Sequence, residues 1–311
     1  MKRFYLSVLF LCSFGSLFAG GPSFAFCDYS QGKVFIQENG EIVWEHKAPD
    51  SNDIWVLPNK NILFTAGKEV LEVSRKNDTI FHYTSESNIF ACQRLKNGNT
   101  FIGECDNGRL LEVSPDGSIV KDVSILPFGV KTGGHAFMRN ARCLDNGHYL
   151  VAHYGGKSVV EYDENGKAVW NIPISGGAHS VIRLPSGNTL VAVTDKDNNP
   201  GVFEYDMAGN IVWSLTNKDL PGTLKFAGGM HYLSDGRLFL TNWVGHVDAK
   251  NPVHLLVIDK LSKKVLYKVS DRNEIKTMSS VFASFPVHEP QTFFIEYSNN
   301  CFYLTVIFST F

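Results

Sequence analysis

GGAHSVIRLPSGNTLVAVTD, residues 176–195, spells out a β-hairpin. Two short runs of alternating polarity flank Pro185-Ser186-Gly187-Asn188, and a Ser-Gly pair between such runs is a strong tight-turn signal. A histidine, His179, stands at the mouth of the hairpin behind a glycine pair. Paler copies of the turn recur as LPNKNIL (57–63), LKNGNTF (95–101), LDNGHYL (144–150) and LSDGRLF (233–239). Their leucines, Leu57, Leu95, Leu144, Leu184 and Leu233, are spaced by 38, 49, 40 and 49 residues.

A second unit lies between the copies of the first. It reads ENGEIVW (38–44), SPDGSIV (114–120), DENGKAVW (163–170) and DMAGNIVW (206–213), with degenerate versions at 74–81 and 259–267. Its successive endings Trp44, Phe81, Trp170, Trp213 and Tyr267 are large rings suited to wedging between neighbouring sheets, and Lys121 is the exception. Each period is thus four short strands, two joined by each turn. Four-stranded units of about forty residues predict a β-propeller, an all-β ring of radially packed antiparallel blades.

The ends set the blade count. The chain after its leader begins with the second half of a unit, Phe26 to Trp44, and five full units follow from about residue 53 to 270. A lone first half near Met278–Val281 is expected to complete the blade begun by the N-terminal segment, giving six blades and a non-covalent clasp. No further turn unit follows residue 281, so 282–311 is expected to be irregular or to complete the last blade.

Lys2 and Arg3 precede an apolar run from Phe4 to Phe18 and small residues near Ala19-Gly20-Gly21. This pattern predicts a signal peptide within residues 1–25, cut after Ala19 or Ala25, and hence a secreted or periplasmic protein. Leu11 argues against lipidation at Cys12, and no second run reaches membrane-spanning length. A net charge of -2 gives no global reason to expect nucleic acid, and Lys131, Arg139 and Arg142 lack interleaved stacking aromatics. The five cysteines past the leader are Cys27, Cys92, Cys105, Cys143 and Cys301, too irregular for a disulfide scaffold or a Cys-x-x-Cys site. Cys92 and Cys105 flank one predicted hairpin and either pair or sit as buried single thiols.

The two alternating units resemble those of the quinoprotein-like propellers over about residues 26 to 281. HSVIRLPSGNTL (179–190) is especially similar to the aryl-sulfate sulfotransferase-like branch, and secreted six-bladed Bacteroidetes proteins are similar as well. The resemblance implies chemistry in the central funnel, where the sulfotransferases use histidines and arginines; His135, Arg139, His179 and Arg183 hold the matching places. No complete catalytic set can be matched. The adjacent-cysteine disulfide and acidic calcium set of the quinone enzymes are missing, so pyrroloquinoline quinone is disfavoured and no cofactor is expected.

Aligning the first units on their leucines puts Asn52, Phe90, Arg139, His179 and Gly228 five places before, at the mouth of each innermost strand. Glycine pairs precede His135, His179 and His231 within two residues. Neutral imidazoles there can act as acid and base or grip an anion beside Arg139; equally, they can cap blade tops. Nine places after the leucines, Glu104, His153 and Asn242 are positioned to line the exit of the innermost hairpins. Trp55 and Trp243 are candidate sugar platforms. Asp195–Asn199 is oxygen-rich but lacks a calcium-loop pattern, and no metal site is expected. Gly-x-Ser-x-Gly, phosphate-loop and His-Glu-x-x-His motifs are absent.

The expected role is a monomeric secreted binding module for a glycan, small molecule or secreted protein at the central funnel or rim. The alternative is a hydrolase or transferase acting on a small anionic or sugar substrate, with His135 or His179 as base or nucleophile and Arg139 or Arg183 as anion clamp.

Overall fold

The computed structural model describes residues 21–126, 134–194, 200–221, 223–245, 252–270 and 274–283, and the backbone of 294–298 and 301–305. Six four-stranded antiparallel sheets form the blades of a propeller. Blades I to V run from Ile54 to Thr84, Ile89 to Ser124, Asn140 to Pro173, Gly177 to Thr216 and Ala227 to Ser270. In each, strand order follows chain order from the axis outward.

The first turn unit does the same job in each of blades I to V. Each leucine amide of the first unit donates to the residue four places on: Leu57 to Asn61, Leu95 to Asn99, Leu144 to His148 and Leu184 to Asn188 at 2.8 Å, and Leu233 to Arg237 at 2.9 Å. Gly98, Gly147, Gly187 and Gly236 sit at φ 89, 83, 89 and 93°, where a side chain would strain the backbone. In the degenerate copies Lys60, Asn77 and Lys263 accept that left-handed conformation instead.

The ring closes by three strands plus one. Phe24–Asp28, Lys33–Glu38 and Glu41–Lys47 supply three strands of blade VI, and Met278–Ala283 supplies its innermost strand. The sequence-based division into two pairs is corrected on this point. Phe24–Asp28 is itself the second strand, pairing with Lys33–Glu38 on one side and with the closing strand on the other, Phe24 opposite Ala283 and Phe26 opposite Val281. Asp28 staples the joint by accepting from the amides of Lys276 at 2.6 Å and Thr277 at 3.1 Å.

The core is divided like the ring. Six apolar clusters each lie between two neighbouring blades; Phe101, Tyr149 and Val160 pack between II and III, and Leu190, Leu240 and Leu256 between IV and V. Trp44 and Phe81 are buried at these interfaces, and Trp170, Trp213 and Tyr267 pack against them. Lys121, the odd ending, lays its ammonium 5.1 Å from the Tyr149 ring and so still faces the next blade. Cys92 and Cys105 are separate buried thiols, not a pair, as are Cys27 and the half-buried Cys143. The strands 294–298 and 301–305 pair with each other as a separate two-stranded sheet. No helix among the described residues is long and apolar enough to cross a membrane.

Candidate functional site: two mouths of one channel

The six innermost strands line the axis. Here the end where they begin is termed the upper mouth, and the end where they meet the leucine turns the lower mouth.

At the lower mouth, equivalent positions of the six strands carry Trp55, Gln93, Arg142, Ile182, His231 and Phe282, and all six line one cavity of about 730 Å³. Four of them form a continuous arc of ring contacts. His231 lies parallel to Phe282 at 4.1 Å, Phe282 meets Trp55 at 5.1 Å, and the Arg142 guanidinium lies 5.2 Å from the Trp55 ring. Arg142 is anchored from within by Asp53, with 2.6 and 2.9 Å bonds to its two oxygens. Asp53 is buried and also accepts from the Cys92 amide at 3.0 Å. The His231 Nδ1 accepts from the Ala283 amide at 2.9 Å, tying blade V to the closing strand. That bond requires the unprotonated nitrogen, and burial together with Arg142 pushes the His231 pKa down to about 4. Met230 and Tyr232 complete the adjoining wall.

Arg183 also borders this cavity, but as part of a clamp between blades. It donates to Glu161 at 2.6 Å and to the Gly187 carbonyl at 2.9 Å, with its guanidinium 4.6 Å from the Trp170 ring. Blades I and II repeat the device with Glu72, Arg94 and Phe81, and blades IV and V with Glu204, Lys260 and Trp213. The sequence signal for it was the recurring Glu-Val/Tyr-Ser/Asp before the second turn, as in LEVS (71–74 and 111–114), VEYD (160–163) and FEYD (203–206).

At the upper mouth, Arg139 and His179 meet. Arg139 Nε donates to His179 Nε2 at 3.0 Å, and its guanidinium lies 4.8 Å from the Phe90 ring. The far side of His179 packs edge-on against Phe226 at 5.1 Å, and Phe226 in turn packs against Trp243 at 5.2 Å. Burial and the Arg139 charge hold His179 well below the usual histidine pKa. His135 is exposed beside them and borders a recess of about 220 Å³ with Tyr29, Asn52 and Phe90.

The three histidines are therefore divided between the two ends, His135 and His179 above and His231 below. Among the described residues no three His, Cys, Asp or Glu side chains group as metal ligands. Two of the glycine pairs, Gly176-Gly177 and Gly228-Gly229, serve contacts between strands and blades, and Gly133 lies outside the described residues. A Cβ on Gly229 would lie 2.6 Å from the Ser280 backbone, and one on Gly177 would lie 2.5 Å from the Tyr154 ring. Asp195–Asn199 lies outside the described residues.

Glu104, His153 and Asn242 are buried and turned to holding the blades. Glu104 accepts from Ser85 at 2.6 Å and Arg109 at 3.0 Å. His153 bonds the Phe137 carbonyl at 2.6 Å and the Tyr162 hydroxyl at 2.8 Å. Asn242 accepts from the amides of Lys225 and Phe226 and donates to the Thr223 and Val253 carbonyls. A polar residue ending an apolar strand looks the same in sequence whether it faces a ligand or a loop.

The fold has counterparts of known structure. The chain is similar to a Bacteroides caccae protein of unknown function, at 23% identity and a TM-score of 0.75, over 84% of this chain and 98% of that one. A streptogramin B lyase matches at 13% identity and a TM-score of 0.55, over 81% and 84% of the two chains. Virginiamycin B lyase from Staphylococcus aureus matches at 14% and 0.53, over 82% and 85%. At these identities the likeness is one of fold. No protein-family model and no curated protein matches the chain.

Proposed function

We propose that the protein is a secreted or periplasmic binding module that takes a glycan into the lower mouth of its channel. The observation that carries this reading is the ring of equivalent positions in which His231, Phe282, Trp55 and Arg142 form one arc of ring contacts around a cavity of about 730 Å³. Sugar rings combine apolar C–H faces with hydroxyl edges, so they suit aromatic walls with polar groups beside them. The fixed charges at this mouth are largely matched internally, Arg142 by Asp53 and Arg183 by Glu161, which favours a neutral ligand over a charged one. The leader pattern of residues 1–25 supports export, and the alternating turn units support kinship with quinoprotein-like propellers.

The enzymatic alternative has less behind it. The imidazole nitrogen of His179 that faces Arg139 is occupied, and His231 spends Nδ1 on the backbone. A glycan array tests the binding reading. The native protein should retain a defined set of neutral oligosaccharides, and Trp55→Ala should lose them by roughly tenfold or more, as for a buried aromatic anchor. Retention unchanged by Trp55→Ala would refute it.

A further inference from the structure

We propose that the upper mouth is a second and separate site, a cleft that binds a single carboxylate through Arg139. The inference does not depend on the glycan reading of the lower mouth.

Arg139 differs from the other arginines that line or brace the blades. Arg94 is paired with Glu72, Arg109 with Glu104 and Asp122, Arg142 with Asp53 and Arg183 with Glu161. Among the described residues Arg139 has no carboxylate. Its Nε edge is taken by His179 and one face of the guanidinium is covered by Phe90. What is left is the outer edge, where Nη1 and Nη2 present parallel N–H groups with no partner among the described residues. Arg139 is half-buried, and burial lowers the pKa of its guanidinium to about 10. A charge partly withdrawn from water without a counter-charge is costly, and an anion on its open edge removes that cost.

The geometry also selects the anion. Two parallel donors on a planar fork match the two oxygens of a carboxylate in one bidentate contact. A dianion would need a second positive charge. His179 does not supply it, because its Nε2 accepts from Arg139 and the ring is held neutral by burial and by that same charge. Acceptance at Nε2 leaves the imidazole proton on Nδ1, which is buried without a well-formed hydrogen bond, with weak support from the Gly228 backbone. The titratable side chains nearest the Arg139 charge are Cys105, Tyr29, Tyr154 and His135; burial pushes the Cys105 thiol up to about 12 and raises the Tyr29 pKa, while burial and Arg139 lower that of His135. Asp50 lines the same recess as His135 and Tyr29 and acts on the Tyr29 hydroxyl, and among the described residues it forms no ion pair with Arg139. An acidic sugar and a peptide C-terminus both present this group, and the shared chemistry is the carboxylate.

The test uses the full-length folded protein with acetate as the probe and acetamide as its uncharged isostere, at ionic strength matched with chloride. Acetate should raise the melting temperature and acetamide should not. Arg139→Gln should weaken acetate binding about tenfold or more, the scale of a charge-assisted bond. Crystals of the native protein grown with acetate should show it on Nη1 and Nη2, which decides the matter even where the variant folds poorly. Equal effects of acetate and acetamide, unchanged binding in Arg139→Gln, or acetate density only elsewhere would overturn the proposal. Tighter binding of sulfate than acetate would overturn the carboxylate assignment. Titrating glucuronate against a dipeptide with a free C-terminus then separates the two sources.

Discussion

At the residue scale, two of the three histidines that follow glycine pairs, His179 and His231, turn out with His153 to be withdrawn from water and held neutral by the fold, whereas His135 is exposed. Burial lowers the pKa of His153 and His231 from 6.5 to about 4, and burial with the Arg139 charge takes His179 well below its usual value. Between those values and 6.5 the unfolded chain binds protons that the folded chain refuses. Stability is therefore complete above pH 6.5 and falls as the pH drops toward 4, by about 1.4 kcal/mol per pH unit for each histidine. Denaturant unfolding at pH 7, 6, 5 and 4 should show this steepening loss. His231→Gln should flatten part of it; identical pH profiles for the variant and native protein would remove His231 from the account. The residue scale is also where sequence reading reached least. His135, His179 and His231 share one motif, yet a shift of a few places along the strand sends His231 to the opposite mouth. Glu104, His153 and Asn242 ended up bonding loop backbone and neighbouring side chains because strand ends bring both within reach.

At the scale of the element, the turns were legible because their chemistry is local. A glycine at φ near 90° and a leucine amide closing on the residue four places on are dictated within seven residues. The closing strand was harder, since Met278–Ala283 has no turn of its own and its partner, Phe24–Asp28, is some 250 residues away. Its placement at the axis follows from Phe24, Phe26 and Val281 sharing one buried cluster with blade V. Truncation after Ala283 should therefore leave a cooperative propeller, whereas truncation after Lys276 should expose that cluster and abolish the sharp thermal transition. Two similar melting curves would contradict the clasp. The clamps of Glu161, Arg183 and Trp170 and their counterparts explain why Arg183, matched by position to an anion-binding role, is instead spent on its own blade interface.

At the scale of the whole molecule, sixfold repetition does two things. It joins the blades through six separate apolar clusters, and it aligns six equivalent positions around the lower mouth. Blade count and ring closure were readable from the period, because repeated turns and wedge residues leave few other ways to bury the strands. Which residues become neighbours around the axis was not, since Trp55 and Phe282 are 5.1 Å apart on adjacent blades yet more than 220 residues apart along the chain. The two mouths differ as chemistry: aromatic and charge-matched below, a single open guanidinium edge above.

The most direct measurement of the binding account is a fluorine NMR titration of protein labelled with 5-fluorotryptophan, whose five tryptophans are Trp44, Trp55, Trp170, Trp213 and Trp243. Trp55 reports the lower mouth and Trp243 the upper one. Adding neutral oligosaccharides should shift the Trp55 resonance in a saturable way and leave Trp243 in place. A saturable shift confined to Trp243, or no shift at Trp55 at any concentration, would contradict a glycan site at the lower mouth.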